Sequence, residues 1–181
     1  MPHLQSITLA GGCFWCTEAV FTRLRGVTEV VSGYANGQLD HPSYEQVCSG
    51  KTGHAEVVRV TFDPDQLPLA DLLSVFFATH DPTQLNRQGN DVGTQYRSGI
   101  YYTDPEHGAL ARTMIEALGR DKVYAGPIVT EVQPLTSFWP AEDYHGEYFA
   151  RNPAQGYCTY VVAPKVEKMR KAFASYLKPG A

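Results

Sequence analysis

The chain has 181 residues, of which 43% are apolar and 19% charged, and its 15 basic and 19 acidic side chains leave a net charge of -4. That length predicts a single domain over 1–181 with a sizeable core, expected to be monomeric. No excess of cations is available to neutralise phosphates, and no stretch reaches the roughly 18 apolar residues of a membrane span, so neither nucleic acid nor membrane is expected as a partner.

In chain order, Leu4 to Ala10 reads as a strand and Cys13 to Leu24 as a helix stopped by Gly26. Val27 to Ala35 is a second strand. Ser43 then caps a short helical turn, with Gln46 completing a capping box. Ala55 to Phe62 is the clearest strand, and the apolar positions 69, 72, 73, 76 and 77 mark a helix over Leu69 to Thr79. A polar loop leads to a strand at Gly99 to Thr103, and Asp104-Pro105 opens the next helix. Ile128 to Leu135 reads as a strand, followed by an irregular aromatic stretch through Tyr157 and a short strand near 158–162. Val166, Met169, Phe173 and Leu177 place a helix at the end, and its basic residues (Lys165, Lys168, Arg170, Lys171, Lys178) read as a solvated face. The order β-α-β-β-α-β with extensions predicts an α+β fold, a ferredoxin-like split-βαβ core.

The chemistry concentrates in "GGCFWCTE". Cys13 follows two glycines at a strand-to-helix junction, where free backbone N–H groups and the helix dipole favour a thiolate. Cys16 lies one turn on, at a Cα separation of roughly 5–6 Å that a disulfide accepts. Four cysteines in a chain whose first residues lack a secretory signal point to a reducing compartment, the cytoplasm, where paired thiols are catalytic, redox-active or metal-binding. Zinc is disfavoured because Cys48 and Cys158 are solitary, and Cys48 reads as packing. Phe14 and Trp15 suggest an apolar pocket beside the sulfur. In "GHAEVVRVTF", Glu56 shares a face with Val58, Val60 and Phe62, so its carboxyl is expected to be buried, protonated and available as a general acid. A thiol–disulfide oxidoreductase and a noncatalytic peptide-binding module compete with this reading, but neither has an oxygen to protonate.

"GGCFWC", "SGYANG", "SYEQVCSGKTGHAEVVRVTFDP", "GNDVGTQYRSGIYY" and "FWPAEDYHGEYFARNPAQGYC" together resemble the successive motifs of peptide methionine sulfoxide reductase A. They run through most of the chain in the family's order. The family's usual first motif is Gly-Cys-Phe-Trp-Gly, and this sequence departs from it with Cys16 in place of the last glycine.

The resemblance implies reduction of methionine (S)-sulfoxide, in proteins and in free form, as repair of oxidative damage. Cys13 would be the nucleophile and Glu56 the proton donor, with Phe14 and Trp15 lining the slot for the substrate methyl. Tyr44 and Tyr96 would offer hydroxyls to the sulfoxide oxygen, and Asp91 and His145 would shape or polarise the site. The resulting sulfenic acid condenses with a thiol. Cys16 is read as the first resolver and Cys158, matching a distal cysteine of the family, as the carrier of the disulfide outward; the reverse order stays open. The resemblance implies an external thiol reductant, thioredoxin or in its place dithiothreitol, and no metal, flavin or nicotinamide motif is present.

Overall fold

A computed structural model describes residues 3–181. The elements, in order, are β1 (Gln5–Gly11), α1 (Phe14–Phe21), β2 (Val27–Ala35), α2 (Tyr44–Cys48), β3 (Ala55–Phe62), α3 (Leu69–Thr79), β4 (Arg87–Gln88), β5 (Asp91–Val92), β6 (Ser98–Tyr102), α4 (Pro105–Arg120), β7 (Glu131–Pro134), β8 (Phe138–Pro140), α5 (Tyr148–Arg151) and α6 (Ala163–Ala172). One mixed sheet has the order β7-β6-β1-β3-β2-β8, and β4 and β5 form a separate ribbon. The inner strands β6-β1-β3-β2 pair antiparallel with one another, while β7 joins β6 in parallel. They make two interlocked split-βαβ units, with β3 inserted between β1 and β2, and β1 between β3 and β6. The fold is α+β, with the ferredoxin-like core anticipated from the pattern.

Period-two alternation sorts the strand residues onto two faces. Ile7, Leu9, Val58, Val60, Phe62 and Ile100 bury against α1 and α3, meeting Val20, Phe21, Leu72, Leu73 and Phe76. Each such side chain contributes about 1.5–3 kcal/mol on leaving water. The opposite face holds Ala10, Ala35, Ala55, Val57 and Tyr101 under Leu135 and Phe138. There the Arg59 guanidinium lies 4.5 Å from the centre of the Phe138 ring. Both predicted caps form. Ser43 Oγ accepts from Gln46 N while Gln46 Oε1 accepts from Ser43 N, and Asp104 caps α4 ahead of Pro105.

Four expectations need correction. Helix α1 ends at Phe21, not Leu24, because Leu24 leaves the helix to pair with Leu177. The strand expected over 128–135 is confined to Glu131–Pro134. Residues 158–162 are not a strand: Cys158–Val162 is a π-helical turn running into α6. The β-branched "TYVV" suggested extension, but Pro164 lies in the first turn of α6 and has no N–H to give a carbonyl four residues back, so a wider turn leads in. Helix α6 itself stops at Ala172; Phe173 and Leu177 still pack on the core from irregular chain. The ribbon β4–β5 inside the polar loop and the edge strand β8 had no clear signal.

Candidate active site

Cys13 is the N-cap of α1, directly after β1, and its carbonyl accepts from Cys16 N at 3.1 Å. Gly12 makes that junction possible. Its φ of +93° lies in the left-handed region, and a Cβ there would come within 2.8 Å of the Gln88 side chain. Gln88 in turn is held by Asp81, donating to its carbonyl and accepting from its N–H.

Glu56 enters from β3, where it pairs with Tyr34 of β2. It is only 1% exposed. Its Oε1 accepts from Phe14 N at 3.2 Å, while Oε2 is buried without a partner. Burial raises its pKa to about 8, against the lowering effect of the Phe14 hydrogen bond. At neutral pH the carboxyl therefore carries a proton, as the strand pattern implied.

The thiol departs from expectation. Burial pushes the Cys13 pKa well up, and the nearby Glu56 and Cys16 charges add to it; the hydrogen bond from Trp15 N only opposes this. The helix N-terminus does not produce a resting thiolate, because desolvation outweighs the end of an eight-residue helix. Cys13 and Glu56 thus face each other as neutral acids.

An aromatic wall closes one side. Phe14 is fully buried among Tyr34, Tyr44 and His145. Trp15 stacks on Tyr148 with ring centroids 3.9 Å apart and planes within 6°, and the Tyr44 ring lies 6.3 Å away. Trp15 Nε1 donates to Nδ1 of the wholly buried His145 at 3.0 Å. An indole N–H only donates, so Nδ1 is the acceptor and a neutral ring carries its hydrogen on Nε2. Burial keeps that ring neutral by lowering its pKa. The phenols of Tyr44 and Tyr96 lie near the titratable groups of Glu56, Cys48 and Cys13; burial first, then those neighbours, raises both phenol pKa values. Cys48, read as packing, is half-buried beside both hydroxyls, and burial raises its thiol pKa.

Cys13, Cys16 and Cys158 share one buried cluster with Ala19, Val162 and Val166. All four cysteines are free thiols. Asp91, on β5, accepts from Tyr157 Oη at 2.5 Å. Lys165 is not purely on a solvated face: it turns toward Cys16 from α6, and its charge partly offsets the burial that raises the Cys16 pKa.

Three residues escaped the sequence reading. Tyr157 reaches the thiols, and its position next to Cys158 was the available signal. Glu142 accepts from Tyr34 Oη and Tyr44 N; burial acts to raise its pKa, but these bonds and the nearby His145 hold it below the usual carboxylate range. Glu18 is 3% exposed and accepts from Ser32 Oγ at 2.6 Å and from Glu147 N. Burial raises its pKa despite those bonds. A lone carboxylate in the apolar helix "FWCTEAVF" was a legible anomaly.

The sequence model of the family described as peptide methionine sulfoxide reductase matches residues 5–177. The chain belongs to the peptide methionine sulfoxide reductase family. Peptide methionine sulfoxide reductase MsrA of Thermus thermophilus is 57% identical over 179 residues, covering 99% of this chain and all of the relative. The solved methionine sulfoxide reductase A of Corynebacterium diphtheriae superposes with a TM-score of 0.82 at 38% identity, over 88% of this chain and 80% of that one. Mxr1 of Saccharomyces cerevisiae, crystallised in complex with Trx2, matches at a TM-score of 0.53 and 26% identity, over 80% of this chain and 84% of that one. Membership makes the protein an oxidoreductase, a methionine sulfoxide reductase, and does not favour the thiol–disulfide exchange alternative. Among the described residues no three His, Cys, Asp or Glu side chains gather as a metal site, and no helix is long and apolar enough to cross a membrane.

Proposed function

We propose that residues 1–181 form a single catalytic domain reducing methionine (S)-sulfoxide, in protein-bound and free form, with Cys13 as nucleophile and Glu56 as proton donor. The observation that carries this reading is the protonated Glu56 carboxyl, dry and with one oxygen unpartnered, beside the Cys13 thiol. A sulfoxide oxygen is a strong acceptor, and Oε2 offers the hydrogen it needs. Phe14, Trp15 and Tyr44 would flank the substrate methyl, while the Tyr44 and Tyr96 hydroxyls support the oxygen. Trp15 is kept in place by His145, and Asp91 shapes the thiol end of the site.

In the reaction, Cys13 Sγ bonds to the sulfoxide sulfur as Glu56 protonates the oxygen. The hydroxyl passes to the Cys13 sulfur and the new S–S bond breaks. Methionine leaves as the thioether, reduced by two electrons, and Cys13 becomes a sulfenic acid, oxidised by two. The thiol proton of Cys13 replaces the one given by Glu56. Because both groups start neutral, the thiol need lose its proton only as the oxygen gains one, so no buried anion is formed beforehand.

Cys16 then condenses with the sulfenic acid, and Cys158, in the same cluster, carries the disulfide on to an external thiol reductant, of the thioredoxin class by analogy with the Mxr1–Trx2 complex. No bound cofactor is required by this scheme. The protein would work as a cytoplasmic monomer repairing oxidised proteins. The test is single-turnover reduction of a methionine sulfoxide peptide by Glu56→Gln and Glu56→Ala. Gln keeps a neutral donor and is expected to retain more activity than Ala, whose sulfoxide step falls about 10²–10⁴-fold. An unchanged rate in Glu56→Ala removes the residue from the mechanism.

A further inference from the structure

Tyr157 has no part in the sulfoxide step above, yet its hydroxyl lies within the thiol cluster. Its Oη is 2.5 Å from Asp91 Oδ2, to which it donates, and 3.8 Å from Cys16 Sγ. A phenol has one hydrogen. With that hydrogen committed to Asp91, the contact with Cys16 runs from S–H to the lone pair of Oη. The three groups come from separate elements, α1, the residue before the π-helical turn, and β5, and they form a directed chain from thiol to carboxylate. Asp91 is only half-buried, so its end of the chain can exchange protons with solvent.

We propose that Tyr157 and Asp91 are a proton relay that activates Cys16 as the resolving thiol once Cys13 has been oxidised. The proposal rests on the assignment of Cys16 as first resolver. Cys16 Sγ forms a bond to Cys13 Sγ as the S–O bond of the sulfenic acid breaks. The Cys16 proton passes to Tyr157 Oη while the Tyr157 proton passes to Asp91. The departing hydroxide takes the Glu56 proton and leaves as water; solvent then returns a proton to Glu56 and removes the one on Asp91. The two-electron oxidation carried by the sulfenic sulfur becomes the disulfide shared by the two cysteines.

Cys16 needs such a base. Burial raises its pKa, and of the charged groups facing it, Lys165 from α6 favours the thiolate while Asp91 from β5 opposes it until protonated. The relay delivers the proton to that same carboxylate, so Asp91 loses its repelling charge as the thiolate forms. A second consequence follows from chain order. Tyr157 directly precedes Cys158, so bringing Cys158 onto the new disulfide withdraws Oη from Cys16. Activation of the first resolver and arrival of the second thiol are therefore successive.

The experiment is a rapid-quench single turnover on a methionine sulfoxide peptide without reductant, following methionine release, sulfenic acid by dimedone trapping, and disulfides by peptide mass mapping. In the wild-type chain the Cys13–Cys16 disulfide is expected at the earliest times, giving way to Cys16–Cys158; a Cys13–Cys158 disulfide formed in place of both overturns the resolver assignment and the relay with it. With the Cys13–Cys16 disulfide present, Tyr157→Phe and Asp91→Asn are each expected to lower the ratio of disulfide formation to methionine release by about 100-fold. The double variant should be no slower than either single one, and alkaline pH should restore the ratio as Cys16 ionises without help. A structural role would not give alkaline rescue. An unchanged ratio, or a loss that pH does not repair in both single variants, overturns the relay while leaving Cys16 as resolver.

Discussion

Residues 13–18 and residues 142–158 both line the site, but they are held there in different ways. The first stretch is locked between β1 and α1: seven of that helix's eight residues are buried, and Phe14, Val20 and Phe21 pack in the cluster that includes the sheet. The second has only short turns of its own, Asp143–His145 and Tyr148–Arg151, and depends on single bonds to the frame. Glu147 N to Glu18, Trp15 Nε1 to His145 and Tyr34 Oη to Glu142 are three of them. Glu147 even takes a positive φ of 51°, a conformation that costs free energy without such support. The frame holds the sulfur and the acid to close geometry, whereas the C-terminal wrap supplies aromatic walls, Tyr157 and Cys158. That division suits a reaction in which the second thiol must approach after the first has reacted.

The comparison breaks most sharply at Cys13. Cys13→Ser is expected to abolish single-turnover methionine release, because no other thiol on the frame lies beside Glu56 with the same backbone support; retained release would shift the nucleophile to the wrap or to Cys48. Next in size is the loss of repeated turnover in Cys158→Ser with a thioredoxin-class reductant. Methionine release in the first turnover should fall far less than steady-state turnover, and equal losses would place Cys158 in the first step.

The pH dependence sharpens the frame's share. Glu56 has a folded pKa of about 8, raised by burial above its ordinary carboxyl value. The sulfoxide step should decline as pH rises through about 8, and Glu56→Gln should lack that limb. The sign for stability follows the same proton. The folded state binds it more tightly than the unfolded chain, so the contribution is present at low pH and is lost as pH rises through the window from the ordinary carboxyl range to about 8. Denaturant titrations should show Glu56→Gln gaining on the wild type across that window, by a few kcal/mol at most.

The smallest effect belongs to the wrap. Trp15→Phe keeps an aromatic ring but leaves Nδ1 of the buried His145 without its donor, at a cost of about 1–3 kcal/mol. Each kcal/mol corresponds to a fall of about 2–4 °C in the melting temperature of a chain this size. Calorimetry showing no change would mean that His145 is held by its packing alone.

Legibility in the sequence followed the same boundary. The frame was readable because local rules agreed there: alternation in β3 put Glu56 on the buried face, helical spacing defined α3, and Ser43 and Asp104 marked helix starts. Motif resemblance placed His145, Asp91 and Cys158 in the site without saying what each touches. Tyr157 and Glu142 had no periodic pattern around them, since an irregular segment is positioned by bonds to distant residues and not by its own repeat. The π-helical turn was misread for the same reason, with β-branched residues pointing one way and Pro164 the other.

Taken by itself, the amino-acid order determined the split-βαβ alternation, the buried acid on β3 and the paired thiols at the start of α1, because periodicity, capping and turn chemistry act over a few neighbouring residues. Only the tertiary structure decided that Cys13 rests protonated, and which way the hydrogen bonds run through Tyr157, because desolvation and long-range pairing arise only when distant segments exclude water from one another.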